Sequence, residues 1–261
     1  MQIKTAQEFT QKFLTETKKQ SIISDPQANI YLIDKPKNIH SFRAVSVLRK
    51  VLDIKKVGFA GTLDPLASGL LIMATGRATR LLDLFHFLPK IYQADIIFGQ
   101  ISDTYDLEGQ VVNNTDAEEF DKIFLKQQLK KFTGKQNQQA PMYSAKKVAG
   151  KKLHVLARQG KVVTPPSKEV EIYEIEMLDF NFPKLKIKVS CSAGTYIRSL
   201  AHDLGQATKQ GALLSDLRRV AIGEFYIDQA IHLDKVDQEV LAKNAISAEQ
   251  IISSLNQHFG L

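Results

Sequence analysis

The sequence holds a single cysteine, Cys191, which rules out an internal disulfide and any cysteine-built zinc site. That residue sits in an alternating apolar run, so a buried, unreactive thiol is expected. No apolar stretch approaches the roughly 20 residues that a membrane span requires. The opening Met1-Gln2-Ile3-Lys4-Thr5 has no apolar signal core. A soluble, cytoplasmic protein with no membrane partner is therefore expected. Internal repeats, low-complexity tracts and a linker that would mark an independent second domain are all missing. So are a phosphate-binding loop and a set of metal-binding carboxylates. The acidic loop Gly99–Gly109 does not have the ligand spacing of an EF-hand, and no metal is expected.

What remains is ordinary globular material with a positive excess. The chain has 261 residues, 44% hydrophobic and 24% charged, ample for a sizeable core. The net charge of +7 suits a polyanionic partner, although an excess of lysine also serves solubility. Residues 1–27 read as a polar amphipathic helical extension, with Phe9, Phe13 and Leu14 on one side and a turn at Ser24-Asp25-Pro26. Residues 28–261 then form one domain. It opens with a short buried strand at Asn29–Ile33 and a helix capped by Ser41 that carries Phe42, Val45, Leu48 and Leu52 inward. A strand through Met73 and a helix from about Arg77 to Phe87 follow.

Residues 90–98 alternate, with Tyr92, Ala94, Ile96 and Phe98 on one face. Helices are expected near 117–131 and 150–159, and strands near 168–180 and 184–192. In the second of these strands Leu185, Ile187, Val189 and Cys191 share a face. Thr195 is placed to cap a helix through Leu204, a strand region begins at Leu217, and a closing helix starts at Ser247. Strands and helices mix without a βαβ rhythm. The class is therefore α+β, with a mixed, largely antiparallel central sheet flanked by helices and loops. An RNA-binding insert is expected over about residues 100–165, because its Lys- and Gln-rich part, 135–152, with Tyr143 in it suits an RNA backbone, though a solvated surface loop would look much the same.

The stretch Gly58–Gly69 stands apart. Gly58 and Gly61 permit backbone geometry that a Cβ would forbid. Pro65 fixes its own φ and biases Asp64 toward an extended conformation. One carboxylate thus sits on a stiff turn, held as a reacting group must be. A plain β-turn, with Asp64 bonding nearby N–H groups, would account for the same residues.

Gly61-Thr62-Leu63-Asp64-Pro65-Leu66-Ala67-Ser68-Gly69 resembles the signature of the TruB-type tRNA pseudouridine synthases. Further matches occur in the family's order: Asp34-Lys35-Pro36, Lys90-Ile91-Tyr92, Asp103-Thr104-x-Asp106-x-x-Gly109, Pro141-Met142-Tyr143-Ser144-Ala145, Gly194-Thr195-Tyr196-Ile197-Arg198 and Leu217-Arg218-Arg219. Each is weak alone; the ordered set, over about residues 29–222, is specific. Two features depart from the family's pattern. Phe59 stands where members usually carry histidine, so a base can still be stacked but no hydrogen bond donated. The stretch after Gly223 is too short for the C-terminal PUA-type RNA-binding domain of longer members.

The resemblance implies the pseudouridine synthase fold and isomerisation of the T-loop uridine at tRNA position 55, with no cofactor and a monomeric state. It implies that Asp64 attacks the base or the sugar, and that Arg198 pairs with it. A guanidinium beside a carboxylate favours the ionised form and offers bidentate geometry. By position alone, Arg198 would be a surface charge on an amphipathic helix. Tyr92 is implied to stack on the target base and to serve proton transfer at C5, with Tyr196 and Leu217 lining the uracil pocket. Lys35, with Pro36, is implied at the substrate site as part of a turn supporting the catalytic loop. The uridine must be extruded from the T-stem-loop at a cost of a few kcal/mol, and stacking can return roughly 1–3 kcal/mol. Arg49 and Lys50, in the basic cluster at 43–56, and Lys146 and Lys147, in that at 146–152, are candidates for the RNA backbone. A non-catalytic tRNA-binding or folding protein on the same fold, or the same chemistry on another RNA, would leave the same motifs.

Overall fold

The run Leu70–Ala74 is wholly apolar, and a strand of that composition must be covered on both faces. The computed structural model of the chain meets that demand: all eight residues of strand Ser68–Thr75 are buried. It describes residues 8, 14–114, 116–144, 146–148, 150–160 and 163–259, with the backbone alone at 147, 152, 154 and 158. Phe9 and Phe13 of the expected N-terminal helix, and Ala145, lie outside the described residues. The chain forms two compact units, Met1–Pro89 with Arg219–Leu261, and Lys90–Arg218. Both mix helices with a largely antiparallel sheet, as expected for the α+β class.

In the first unit, strand Asn29–Lys35 pairs antiparallel with Ser68–Thr75 and with Ile246–Ser247, and parallel with Ile231–His232. Val57–Ala60 pairs antiparallel with Ser68–Thr75. Alternation along these strands divides the core. Leu70, Ile72 and Ala74 join Ile22, Phe85, Ile251 and Leu255, whereas Leu71 and Met73 join Ala44, Val45 and Leu48. Helix Ser41–Leu52 therefore covers one face, and helices Glu16–Ile23 and Ala248–Phe259 cover the other.

Some local expectations shift. The helix expected from Arg77 to Phe87 forms as two 3-10 segments, Gly76–Leu81 and Leu84–His86. Buried Ala78, Leu81 and Leu84 recur every third position, as do Leu82, Phe85 and Leu88, which is the 3-10 period. Ser41 is the first residue of its helix rather than its cap, a position taken by His40. The inward stripe runs Ser41, Ala44, Val45, Leu48, so Phe42, expected inward, faces out with 59% of its surface exposed. Ser247 does open the last helix. Gln250 donates its backbone N–H to Ser247 Oγ at 3.2 Å, and Ser247 N–H donates to Gln250 Oε1 at 2.9 Å, a reciprocal cap.

In the second unit the strands lie in the order Lys90–Phe98, Lys184–Cys191, Ser167–Asn181, Gly134–Gln139, each pair antiparallel. Leu185, Ile187, Val189 and Cys191 are buried and Lys184, Lys186 and Lys188 exposed, as the alternation requires. Gly134–Gln139 falls within the span expected as an insert, yet it is a member of this sheet. The helix expected over 117–131 begins at Lys122, because the Asp121 carboxylate accepts from Phe124 N–H at 2.7 Å and caps it there. Lys151-Lys152 pairs with Lys147-Val148, and the helix expected from 150 is confined to Leu153–Arg158. Among the described residues no helix is long and apolar enough to cross a membrane.

Candidate active site

The Asp64 turn belongs to the first unit and is tied down from both sides. Ala67 N–H donates to Asp64 O at 3.1 Å, which closes a β-turn around Pro65. On one side of the turn, Leu63 is held by Ser41: Leu63 N–H donates to Ser41 Oγ at 3.0 Å, and that hydroxyl donates to Leu63 O at 2.9 Å. On the other, Asn38 N–H donates to Pro65 O at 2.7 Å. Asn38 lies in the turn that follows Lys35. The Lys35 side chain is wholly buried, and its ammonium donates to Pro36 O at 2.9 Å and Ile39 O at 2.8 Å. Lys35 thus stiffens the turn that meets the Asp64 loop.

Arg219 spans both ends of the same loop. Its Nη2 donates to Gly61 O at 2.9 Å and its Nε to Leu70 O at 2.7 Å, with the side chain almost wholly buried. Gly69 takes φ +108, and a Cβ there would run into the Arg219 backbone. Asp64 itself is partly exposed. Phe59 pairs with Met73 and packs partly buried against the face that holds Leu71 and Val45.

In the second unit Arg198 is buried, with 6% of its surface exposed, so it is not a surface charge on its helix. Its Nη1 lies 3.4 Å from Asp106 Oδ2 and donates to Thr104 O at 3.1 Å. Its Nη2 donates to Tyr143 O at 3.2 Å. Three of the quoted motifs, Asp103–Gly109, Pro141–Ser144 and Gly194–Arg198, therefore meet on one guanidinium. Asp106 is fully buried and further held by Thr104 Oγ1 at 2.5 Å and Glu108 N–H at 2.9 Å.

Tyr92 stands partly exposed on strand Lys90–Phe98, opposite Val189. Tyr196, not Thr195, is the residue that caps the Arg198 helix; Thr195 Oγ1 donates instead to Ser192 O at 2.9 Å. The side-chain amide of Gln138 grips Tyr196 at both backbone groups, accepting from its N–H at 2.7 Å and donating to its carbonyl at 3.0 Å. Leu217 is buried on strand Ala212–Ile222. Thus Asp64 and Lys35 lie in the first unit, and Tyr92, Tyr196, Arg198 and Leu217 in the second.

Arg49 and Lys50 are exposed on helix Ser41–Leu52, and the Arg49 guanidinium lies 5.8 Å from the Phe42 ring centroid. Lys146 is exposed. Burial first, and repulsion from Lys146 second, hold the Lys168 ammonium below the usual lysine range. The Lys147 side chain lies outside the described residues. Among those residues no group of three His, Cys, Asp or Glu is placed to hold a metal ion.

Ser41, expected only as a helix cap, Arg219 and Asp106, quoted only within motifs, and Gln138 were given no part in holding the site from sequence. Two of them carried a signal. Ser41 is a hydroxyl in an otherwise apolar inward stripe, and Arg219 is a charge in a strand whose next residues are Val220-Ala221-Ile222.

The model of the TruB family pseudouridylate synthase N-terminal domain matches residues 49–197, and that of the tRNA pseudouridylate synthase B C-terminal domain matches residues 198–258. The tRNA pseudouridine synthase B of Protochlamydia amoebophila is 45% identical over 208 residues, 78% of this chain and 77% of that protein. Its counterpart in Clostridium tetani is 40% identical over 225 residues, 86% of this chain and 77% of that protein. Among solved structures, a chain of a Cbf5-Nop10-Gar1 complex aligns with a TM-score of 0.65 at 26% identity, covering 89% of this chain and 63% of its own. A chain of an H/ACA RNP bound to a substrate RNA containing 2'-deoxyuridine aligns with a TM-score of 0.64 at 25% identity, covering 88% of this chain and 62% of its own. This chain therefore spans less than two thirds of each of those two solved chains.

Proposed function

This chain belongs to the TruB family of pseudouridylate synthases, and from that membership we propose that its substrate is the T-stem-loop of tRNA, with the uridine at position 55 as the target. The protein is a tRNA pseudouridine synthase, an isomerase that converts a tRNA uridine to pseudouridine. The reaction breaks the bond between uracil N1 and ribose C1', turns the base, and forms a bond from C5 to the same C1'. C5 gives up a proton and N1 gains one, so nothing is added or lost overall.

Asp64 supplies the carboxylate for this rearrangement, and Arg198 is the cation that acts with it. Tyr92 stacks on the extruded uracil and takes part in the proton transfer at C5, while Tyr196 and Leu217 line the base pocket. Lys35 contributes through the turn it stiffens. Arg49, Lys50, Lys146 and Lys147 contact RNA phosphates; Lys146 lies close enough to Lys168 to repel its ammonium, so two positive charges gather there. The enzyme works as a monomer in the cytoplasm.

The observation that carries this reading is the anchoring of one partly exposed aspartate. Its loop is bonded by Ser41, Asn38 and Arg219 on both sides of the residue, far more than a plain β-turn needs. Positioning of that kind serves a reacting group. The test is incubation of the purified protein with T-stem-loop RNA and chemical mapping of pseudouridine. Conversion by wild type and none by Asp64→Asn is the expected result. Tight binding of the RNA by wild type with no conversion would refute it.

A further inference from the structure

Tyr105 occupies a backbone region that a bulky side chain rarely enters. Its φ is +64, where only glycine sits without penalty. Its ring lies flat on the imidazole of His202, with centroids 3.9 Å apart and planes 14° from parallel. Its carbonyl accepts from Leu214 N–H at 3.0 Å, beside the isolated bridge between Asp106 and Leu214. Burial lowers the His202 pKa and raises that of Tyr105, so both rings stay neutral and stack as apolar plates.

The residues on either side of Tyr105 are both partners of Arg198. Thr104 offers its carbonyl at 3.1 Å and Asp106 its carboxylate at 3.4 Å. Those two acceptors converge on a single guanidinium because the chain between them turns through the left-handed region at Tyr105. Arg198 and His202 are four residues apart on helix Ile197–Thr208, hence on the same face. One helix face therefore grips one loop twice, the guanidinium on residues 104 and 106 and the imidazole on residue 105.

We propose that the Tyr105–His202 stack is a positioning device for Arg198. It locks the strained turn, and the turn sets the angle at which the guanidinium is held. His202 and Tyr105 are positioning residues that touch neither substrate nor reacting atoms. The proposal rests on the reading that Arg198 acts in the isomerisation.

The test uses the full chain with T-stem-loop RNA, measuring the single-turnover rate at saturating enzyme and the RNA affinity separately. His202→Ala is expected to lower the rate about tenfold while affinity stays within about twofold. His202→Phe, which keeps a flat ring, restores at least half of the lost rate. Tyr105→Gly removes the stack but relieves the backbone, so it is slowed as much as His202→Ala while Tm stays within about 3 °C of wild type. A wild-type rate for His202→Ala overturns the proposal. So does a failure of His202→Phe to restore the rate, or a loss in Tyr105→Gly matched by a fall in Tm, since either marks ordinary stabilisation. Arg198→Ala separates the two levels. If it keeps its rate, the role of Arg198 fails; if it loses its rate while His202→Ala keeps it, the positioning device alone fails.

Discussion

Arg219 and Ser41 each satisfy two backbone groups at the ends of the Asp64 loop with one side chain. Removing the Ser41 hydroxyl leaves the N–H and carbonyl of Leu63 without their partner in a buried setting, at about 1–3 kcal/mol. Ser41→Ala is therefore expected to lower stability by that amount in urea unfolding. It should also reduce kcat about tenfold, because Asp64 follows directly on the freed residue. Arg219→Lys keeps the charge but not the fork. One ammonium cannot reach Gly61 O and Leu70 O together, so this substitution costs about 1–3 kcal/mol as well. An Arg219→Lys protein with wild-type stability and kcat would show that the clamp contributes nothing.

Cys191 offers a residue-scale probe of the whole fold. Burial pushes its thiol up from 9.0 to about 12, so the native side chain is protonated and shielded. The unfolded chain ionises near the ordinary value. This group's contribution to stability is thus complete below about pH 9 and is lost as pH rises toward 12. Native protein at pH 8 should resist iodoacetamide, and labelling in urea should follow the loss of circular dichroism. Prompt labelling of the native protein would contradict the burial.

At the scale of elements, two glycines with nearly the same backbone angle have different meanings. Gly69 has φ +108 and Gly134 has φ +102. A Cβ at Gly69 would collide with the Arg219 backbone, while one at Gly134 would meet nothing within 4 Å. Gly134→Ala therefore carries conformational strain alone, about 1–2 kcal/mol. Gly69→Ala adds a clash that only a backbone shift relieves, for a total of about 3 kcal/mol or more, and it displaces the Asp64 loop. Chemical denaturation of the two variants in parallel checks the ordering. Equal losses would mean that the Arg219 strand yields freely.

The same scale shows what could be foreseen from sequence. Strands with clean alternation, such as Lys184–Cys191, appear where expected because burial of one face dictates a period of two. The carboxylate turn was visible because glycine permits, and proline imposes, unusual backbone geometry without help from distant partners. What escaped were side chains whose partners are distant in sequence. Gln138 meets Tyr196 58 residues away, and Arg219 meets Gly61 158 residues away. Nothing local to Gln138 distinguishes a buried gripping side chain from an exposed one, and the apolar residues after Arg219 hint at its burial without naming its partner. Helix boundaries slipped for the converse reason. Asp121 and the three-residue spacing of Ala78, Leu81 and Leu84 are local signals, but they competed with a helical pattern that extended across them.

For the whole molecule, charge is the property that RNA meets first. The net charge is +7, and one exposed basic group is formed by Arg43, Arg49, Lys50, Lys55 and Lys56 on or just after helix Ser41–Leu52. Exposed Phe42 lies beneath Arg49 on the same helix, which adds an aromatic face of the kind on which bases stack. Its neighbour Ser41 holds the loop of Asp64. Each phosphate contact released should reduce the slope of log K against log salt by about 0.7–0.9. The double substitution Arg49→Ala with Lys50→Ala is expected to lower that slope by about 1.5 and to weaken tRNA binding about tenfold at physiological salt. The single-turnover rate at saturating enzyme should not change, as expected of side chains that serve binding alone. An unchanged slope would remove this helix from the RNA interface, and a lowered saturating rate would give it a part in the chemistry as well as in binding.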